Sequence, residues 1–347
     1  MQYKVIDSNI IQNKNIVLRL DLNVPMQNTK IVSDIKIQSS LNTINFLLKN
    51  ANKITILSHF KNPKNQDKNL SLIKIVQYLS KLMLIKVPLI TSIEPNHLDS
   101  FDKICVLENT RFFQGEYENC SKLGKEFAGL GDIFVQDAFA CSHRNHASMN
   151  SITNFIPSYM GLNLSKEISV LNKLQANITG KFALAIIGGA KIETKTKLVK
   201  TLLKNGYKVF AAGKIGNYIS NNLNMFQHES LYLPVDGLNA DNKYGVWVNY
   251  HDIGQKSLII LKNLIKKADY LVWNGPLGQF EKPEFSNGTK ALINLIKENK
   301  AYSVAGGGET LSVVKPGTFN HICCAGGAFI AYLSNKNLPG IKNLLTS

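Results

Sequence analysis

Residues 182–197 read FALAIIGGAKIETKTK, and this stretch predicts a strand, a glycine turn and a helix. The apolar run is too short to cross a membrane, and it ends at Gly188 and Gly189, where the backbone can approach a ligand closely. Lys191 and Lys195 follow on one face of the helix, near its N-terminus, where the helix dipole favours anions. The pattern indicates a phosphate-binding turn. An ordinary tight turn with solvated lysines is the simpler explanation until the rest of the chain is considered, because the spacing is not that of a Walker A loop.

The same alternation of strand-length apolar runs and amphipathic stretches fills both halves of the chain. It predicts strands at 16–22, 53–58, 103–107, 132–135, 182–187, 208–211, 270–273 and 301–304. Helices are expected at 38–49, 71–84, 194–204, 257–267 and 289–299. Such alternation is typical of parallel sheets, so we predict an α/β fold of two doubly wound, Rossmann-like domains joined by a hinge helix. The expected bounds are 1–156, 157–175 for the hinge, and 176–334.

The composition limits the function classes. The 347 residues are 44% hydrophobic and 18% charged, which is ample for two cores. The net charge of +16 comes largely from dispersed lysines, and without an RNP1-like string, zinc-finger spacing or arginine-rich tail it favours an anionic small molecule over a nucleic acid. Five cysteines without a CxxC pair favour free thiols in a reducing compartment. Because no signal peptide or long apolar span is present, we expect a cytoplasmic protein without a membrane partner.

Polar side chains gather where the strands of the first half end. Asp21 and Asn23 follow the first predicted strand, His59 the second and Arg111 the third, and Arg144 comes soon after the fourth. Ligands of open parallel sheets bind at this edge, so several strands would aim cationic and amide groups at one crevice. Strand ends are also polar simply because they meet water. The convergence nevertheless favours an anion pocket.

Ten strings then resemble one known family, in its order and over almost the whole chain. They are RLDLNVP (19–25), SHFKNPK (58–64), LENTRF (107–112), LGDIFVQDAFACSHRNHAS (130–148), GGAKIETK (188–195), LPVD (233–236), WNGPLGQFE (273–281), FSNGT (285–289), AGGGET (305–310) and NLPG (337–340). The family is phosphoglycerate kinase. The strings at 130–148 and 273–281 are the most specific.

The resemblance implies a reaction and a division of labour. The N-terminal domain would bind 3-phosphoglycerate or 1,3-bisphosphoglycerate, and the C-terminal domain would bind Mg-ATP or Mg-ADP. A C-terminal tail, residues 335–347, would pack back on the N-terminal domain, and the protein would be a monomer. The reaction would be ATP + 3-phosphoglycerate ⇌ ADP + 1,3-bisphosphoglycerate, in glycolysis or gluconeogenesis.

The resemblance also implies roles for matching residues. Phosphoglycerate would be held by Asp21, Asn23, Lys36, His59, Asn62, Arg111 and Arg144. The transferring phosphoryl group would be stabilised by Lys191, Lys36, Arg144 and Gly327. The nucleotide would be bound by Gly189, Lys191, Lys195, Gly213, Asn274, Pro276, Glu281, Gly306, Gly307, Gly308, Glu309 and Thr310. The magnesium ion would be served by Glu309.

Several positions depart from the family pattern. Lys36 replaces an arginine, which keeps the charge but loses the planar guanidinium fork. Asn62 replaces another arginine, with Lys61 beside it as a substitute. Ala325 replaces a glycine and adds a Cβ near the expected phosphoryl position. Glu309 replaces an aspartate, and its longer side chain could reach magnesium through a water. A glycine run on the nucleotide side has become Ala211-Ala212-Gly213, which narrows the space for adenine, and the chain is shortened mainly between 213 and 247.

Two functional classes follow, with a third behind them. Retention of most ligands favours an active phosphoglycerate kinase with a reduced rate. Lys36, Asn62 and Ala325 favour the alternative, a catalytically impaired homologue that binds a nucleotide or a protein. A nucleic-acid-binding protein would instead show binding that weakens steeply with salt and ignores phosphoglycerate.

Overall fold

The strands and helices follow the predicted alternation in both halves of the chain. The computed structural model describes residues 2–28, 30–93, 96–176, 178–241, 243–246, 249–311, 313–314, 317–323, 325–334 and 337–346, without the side chains of 176, 246, 309 and 311. The chain divides into unit 1, Met1–Ile168 with Asn337–Ser347, and unit 2, Ser169–Lys336. The division falls inside one helix, Leu162–Ala176.

The strands are short, as expected for buried parallel sheets. They are β1 (Ile16–Arg19), β2 (Met26–Gln27), β3 (Lys30–Ile31), β4 (Ile54–Leu57), β5 (Leu89–Ile90), β6 (Ile104–Leu107), β7 (Ile133–Gln136), β8 (Ser158–Met160), β9 (Ala183–Ile187), β10 (Lys208–Ala211), β11 (Leu231–Tyr232), β12 (Asp236–Leu238), β13 (Tyr244–Val246), β14 (Asp252–Ile253), β15 (Tyr270–Asn274), β16 (Tyr302–Gly306) and β17 (His321–Cys323).

The α-helices lie between the strands of the two sheets. They are α1 (Ser8–Ile11), α2 (Ile35–Asn50), α3 (Ile73–Met83), α4 (Ser121–Ala128), α5 (Leu162–Ala176), α6 (Ile192–Lys204), α7 (Gly213–Ser220), α8 (Gln255–Lys267), α9 (Asn287–Lys297), α10 (Gly308–Leu311) and α11 (Gly326–Ser334).

Unit 1 is built on a six-stranded parallel sheet in the order β5-β6-β4-β1-β7-β8. Alternate residues of β1 enter two different cores. Ile16 and Leu18 pack with residues of α2 and α3, whereas Val17 packs with residues of α4. Because successive side chains of a strand point to opposite faces, helices cover both faces of this sheet. This is the predicted doubly wound arrangement.

Unit 2 has a second six-stranded parallel sheet, in the order β11-β10-β9-β15-β16-β17. Numbered within the sheet, this is the 3-2-1-4-5-6 order of dinucleotide-binding folds. Leu184 and Trp273 pack against α8 and α9, and α6 packs on β9 and β10. The predicted fold class, α/β with two Rossmann-like units, is confirmed. The chain order reverses between β9 and β15, which is where such sheets bind ligands.

The differences from the predicted elements have local causes. β1 ends at Arg19 and not at residue 22, because the chain then leaves the ladder and the Leu22 N–H is taken by the Ser58 hydroxyl (2.9 Å). Residues 158–160, within the segment expected to be a hinge helix, form β8. The strands β5, β8, β11 and β17 and the antiparallel sheet β13-β12-β14 were not predicted, since strands of two or three residues carry no readable alternation.

Candidate active site

The first candidate site lies at the carboxyl end of the sheet in unit 1. Because β4, β1 and β7 are parallel neighbours, the segments that follow them meet at one edge. Asp21, His59 and Cys141 come from these three segments, are all buried, and bring ligand atoms within 4.8 Å of one another. Sequence reasoning missed Cys141. This donor set could hold a soft cation, but its neighbours make an anion the better fit.

Those neighbours are cationic. The Lys36 ammonium lies 2.7 Å from the Asp21 carboxylate and donates to the Asn23 carbonyl at 3.0 Å. Lys36 belongs to the first turn of α2, where the helix dipole also favours anions. Arg19 and Arg144 lie close enough to His59 to lower its pKa. The edge of the sheet therefore holds three cationic side chains around a single paired carboxylate.

Arg111 lies at the same edge, after β6. Its guanidinium donates to the Lys61 carbonyl and the Asn62 side-chain oxygen and lies over the Tyr117 ring, 5.1 Å from the centroid. Asn62, the replacement for an arginine, is therefore in contact with Arg111. Among the described residues, the buried Nε of Arg111 and the buried Nε2 of His59 have no hydrogen-bond partner. Buried polar atoms are normally paired, so these two indicate room for a polar ligand.

A buried chain of hydrogen bonds lies beneath these cations. Arg19 Nε donates to the Ser148 hydroxyl (3.1 Å), which donates to the Glu116 carboxylate (2.6 Å). The Ser148 N–H also donates to Glu116 (2.9 Å). Glu116 is fully buried, and burial raises its pKa while Arg19 lowers it. The loop that carries Arg144 is thereby tied to the end of β1. Sequence reasoning missed Glu116 and Ser148, which are 32 residues apart.

The histidines of this site are neutral near pH 7. Burial, followed by the charges of Arg19 and Arg144, holds the pKa of His59 well below its usual range. The same causes lower the pKa of His146 to about 4. The positive charge of the site therefore comes from Lys36 and the arginines, and it does not change with pH in the physiological range.

The second candidate site is the glycine turn of unit 2. The Gly188 N–H donates to the Asn274 carbonyl (2.9 Å) and the Gly189 N–H to the Pro276 carbonyl (2.8 Å), so the turns after β9 and β15 are joined. A Cβ at residue 188 would lie 2.0 Å from the Pro276 oxygen, and Gly189 has φ +82°. Both glycines are required by this close approach.

The two lysines of the opening stretch have different environments. Lys191 is exposed and is the N-cap residue of α6. Lys195 is buried, and its ammonium donates to the carbonyls of Gly188 and Asn274, the latter at 3.4 Å. In this structure Lys191 is thus the lysine accessible at the helix N-terminus, while Lys195 holds the glycine turn.

A cavity of about 320 Å³ opens beside this turn. Its walls include four residues of the predicted nucleotide set, Gly189, Gly213, Pro276 and Glu281. Four polar or charged side chains that sequence reasoning missed also line it: Lys214, His251, Gln279 and Lys282. Gly213 has φ +61°, and a Cβ there would lie 3.1 Å from the Gly189 nitrogen. The cavity is therefore walled partly by backbone, as nucleotide sites often are.

The remaining predicted nucleotide residues lie at the end of β16. Thr310 accepts from the Gly275 N–H (2.8 Å) and donates to the Gly306 carbonyl (2.9 Å), and the Asn274 amide donates to the same carbonyl (2.8 Å). Gly307 has φ +107°, and a Cβ on Gly326 would lie 3.1 Å from the Gly307 Cα. The glycine turns before α10 and α11 therefore adjoin each other.

Comparison with known proteins assigns the chain to a family. The sequence profile of phosphoglycerate kinase matches residues 6–239 and 226–336. The chain belongs to the phosphoglycerate kinase family. It is 34% identical to the phosphoglycerate kinase of Wolbachia pipientis subsp. Culex pipiens (strain wPip), with 98% of each chain covered. It is 35% identical to that of Wigglesworthia glossinidia brevipalpis, with 98% of this chain and 96% of the relative covered. The solved phosphoglycerate kinase of Coxiella burnetii superposes with a TM-score of 0.84, at 32% identity and 96% coverage of each chain.

Members of the phosphoglycerate kinase family are glycolytic phosphotransferases of class EC 2.7.2.3. The structure gathers their predicted residues into two groups, one in each unit. Unit 1 contains Asp21, Asn23, Lys36, His59, Asn62, Arg111 and Arg144. Unit 2 contains the glycines, Lys191, Lys195, Asn274, Pro276, Glu281 and Thr310, with Gly308 and Gly327 exposed in the first turns of α10 and α11. The Glu309 side chain and Cys324 lie outside the described residues.

Two other predictions bear on this protein. Among the described residues, no helix is long and apolar enough to span a membrane. The cysteines that the structure describes, Cys105, Cys120, Cys141 and Cys323, are all free thiols. The family match favours an active kinase over an impaired homologue.

Proposed function

We propose that this protein catalyses reversible phosphoryl transfer between ATP and the carboxylate of 3-phosphoglycerate, giving ADP and 1,3-bisphosphoglycerate. The observation that carries the proposal is the buried anion site of unit 1. Lys36, Arg19 and Arg144 surround it, and the unpartnered His59 Nε2 and Arg111 Nε lie within it. A bound phosphoglycerate would satisfy both orphan atoms and balance the charge.

Each residue of unit 1 has a chemically suited task. Arg111 and Arg144 would grip the phosphate, because a guanidinium offers two parallel donors to such a group. Asp21, Asn23 and His59 would orient the glycerate, and Asn62 would steer Arg111. Lys36 would face the carboxylate that attacks the γ-phosphoryl group.

The chemistry requires no general base. The attacking group is a carboxylate, which is already ionised at neutral pH, so no proton has to be removed. Transfer through a loose transition state asks mainly for alignment and for cations around the spreading charge. The neutral state of His59 agrees with a binding role and not with proton transfer.

The nucleotide would occupy the cavity beside the glycine turn in unit 2. Its ribose would contact Glu281, and its phosphates would lie near Gly189 and the exposed Lys191. The backbone N–H groups of Gly306–Gly308, Gly326 and Gly327 would face the transferring phosphoryl group, Gly308 and Gly326 being the first residues of α10 and α11. Lys195 would reach the phosphates only after leaving the Gly188 and Asn274 carbonyls.

The nucleotide would carry Mg²⁺, with Glu309 in the first turn of α10 as its protein ligand. The ion would neutralise charge on the β- and γ-phosphates. We also propose that unit 1 is the phosphoglycerate-binding domain and unit 2 the nucleotide-binding domain, and that the protein is a cytoplasmic monomer without nucleic-acid or membrane partners.

The test is 3-phosphoglycerate-dependent formation of ADP from Mg-ATP by the purified protein, coupled to removal of 1,3-bisphosphoglycerate. Lys191→Ala should lower kcat by roughly a hundredfold or more, as removal of one group that stabilises a transition-state charge does. Lys197→Ala is the matched control, since Lys197 is an exposed lysine of the same helix, paired with Glu193 at 3.4 Å. Its kcat should stay within about threefold of the parent value.

The possible outcomes separate the functional classes. Turnover that depends on phosphoglycerate and disappears in Lys191→Ala supports the kinase. A folded protein that binds Mg-ATP without turnover would refute the proposal and support an impaired homologue.

A further inference from the structure

Two polar side chains form a hydrogen-bonded pair on the wall of the unit 2 cavity. His251 immediately precedes β14, and Gln279 follows the turn after β15. The Gln279 Nε2 donates to the His251 Nδ1, and both residues line the cavity. The His251 ring also packs on Phe285, with centroids 5.0 Å apart and planes 31° apart. The pair is therefore held in place from two sides.

The pair is not needed to join its two segments. The Gln279 backbone N–H already donates to the His251 backbone carbonyl at 2.8 Å, and the His251 N–H donates to the Leu238 carbonyl at 2.7 Å. The backbone thus fixes the position of both residues. The side-chain contact adds a defined orientation of the glutamine amide instead.

That orientation follows from the donors and acceptors involved. An amide nitrogen can only donate, so His251 Nδ1 must accept, and the neutral ring carries its proton on Nε2. Gln279 is left with its Oε1 acceptor and one further N–H donor. With His251 as its partner, the amide cannot turn over without losing this hydrogen bond.

A glutamine with one acceptor and one donor available matches adenine. Adenine presents the N6 amine as a donor beside the N7 acceptor, and glutamine pairs with both atoms at once. Guanine presents two acceptors, O6 and N7, on the same edge. Guanine would therefore set O6 against the Gln279 Oε1 and leave a polar group unpaired, which is costly in a partly buried site.

We propose that Gln279, oriented by His251, is the residue that selects adenine over guanine in the nucleotide cavity. The inference rests on the proposed function, which places the nucleotide in this cavity. Hydrogen bonding by the amide, in addition to the shape of the cavity, then decides which purine nucleotide the enzyme accepts.

The experiment compares ATP, GTP and purine riboside triphosphate, which lacks the exocyclic amine, as their magnesium complexes. Binding constants by calorimetry and kcat/KM are measured for the parent protein, Gln279→Leu and His251→Phe. The parent should prefer ATP over both analogues by about tenfold or more, the usual worth of one bidentate base contact. Gln279→Leu should reduce both preferences about tenfold, and His251→Phe, which keeps a ring against Phe285, should reduce the ATP-to-GTP preference in the same direction.

The control is Gln77→Leu, the same change at an exposed position of α3 in unit 1, which should leave every ratio unchanged. Unaltered ratios in a folded Gln279→Leu that still turns over ATP would overturn the inference and leave the proposed function standing. A parent protein that binds none of the three nucleotides would overturn the proposed function, and the inference with it.

Discussion

Lys36 brings a full positive charge to the phosphoglycerate site, but two neighbours already hold its single ammonium group. It lies 2.7 Å from Asp21 and donates to the Asn23 carbonyl at 3.0 Å. An arginine at this position could keep one such contact and still present a second N–H group to the substrate. The residue therefore preserves the electrostatics of the site while reducing the number of directed donors.

At this scale we predict that Lys36→Arg raises kcat. One additional charge-assisted hydrogen bond in the transition state is worth about 1.5–3 kcal/mol, which corresponds to roughly ten- to a hundredfold in rate. The measurement is the coupled assay at saturating Mg-ATP and 3-phosphoglycerate. Lys30→Arg, an exposed lysine of β3, is the control and should change nothing. An unchanged kcat in Lys36→Arg would refute the idea that Lys36 is a weakened catalytic group.

The helix that crosses from one unit to the other depends on a distant carboxyl group at its start. Asp137 follows β7, is almost fully buried, and accepts from the Leu164 N–H at 2.8 Å, in the first turn of α5. A Cβ on Gly161 would lie 2.4 Å from this carboxyl group, so the approach requires glycine. Burial raises the pKa of Asp137 to about 7, although hydrogen bonds from Thr43 and the helix backbone oppose the shift.

At the scale of the element, the raised pKa makes stability depend on pH. The folded protein keeps the proton of Asp137 up to about pH 7, whereas the unfolded chain releases it near the ordinary aspartate value of 3.8. The unfolded state therefore binds fewer protons between about pH 4 and 7, and the free energy of unfolding falls as pH rises through this window. Asp137→Asn, which can still accept from Leu164, should remove this dependence.

The measurement is the urea midpoint of parent and variant at several pH values from 4.5 to 8. Asp137→Asn should gain on the parent protein as pH rises, by at most about 1.4 kcal/mol per pH unit, and level off above pH 7. Asp67→Asn, at an exposed cap in unit 1, is the control. Parallel curves for Asp137→Asn and the parent would show that the carboxyl group is not protonated in the folded state.

At the scale of the whole chain, the C-terminal segment completes unit 1. Ile341 and Leu344 are fully buried, the Lys4 N–H donates to the Leu344 carbonyl (2.8 Å), and the Gly340 N–H donates to the Ser142 carbonyl (2.9 Å). The last strand and helix of unit 2 precede this segment, so the first and last residues of the described chain belong to the same unit. Ser142 lies in the loop that carries Arg144, so the tail also supports the candidate site.

We predict that Leu344→Ala destabilises unit 1 by about 2–5 kcal/mol, the usual cost of truncating a buried leucine. Both tryptophans of the chain lie in the sequence of unit 2, so tryptophan fluorescence reports on that unit and far-ultraviolet circular dichroism on both. Urea unfolding should show an earlier circular dichroism transition and a smaller change in fluorescence. Leu84→Ala, at a leucine that is 90% exposed, is the control. Equal midpoints for Leu344→Ala and the control would contradict the packing role of the tail.

Local patterns in the sequence determined a large part of this protein. Each of the eight predicted strands is present, shifted at its ends by up to three residues, because long apolar runs between amphipathic stretches can only be satisfied inside a helix-covered parallel sheet. The family motifs likewise identified the residues at the strand ends, since such motifs are contiguous in the chain. The sequence by itself therefore determined the fold class, the family and most of the candidate site residues.

The tertiary structure decided which of these residues touch and which partners they have. Glu116 and Ser148, His251 and Gln279, and the tail with Ser142 are separated by 28 to 198 residues along the chain. Neither periodicity nor a local motif links such pairs. Burial then set the charge states, so that His59 is neutral, Asp137 keeps a proton near pH 7, and Lys195 binds backbone carbonyls. These properties depend on the distance between groups and on the exclusion of water, and both arise only when the chain has folded.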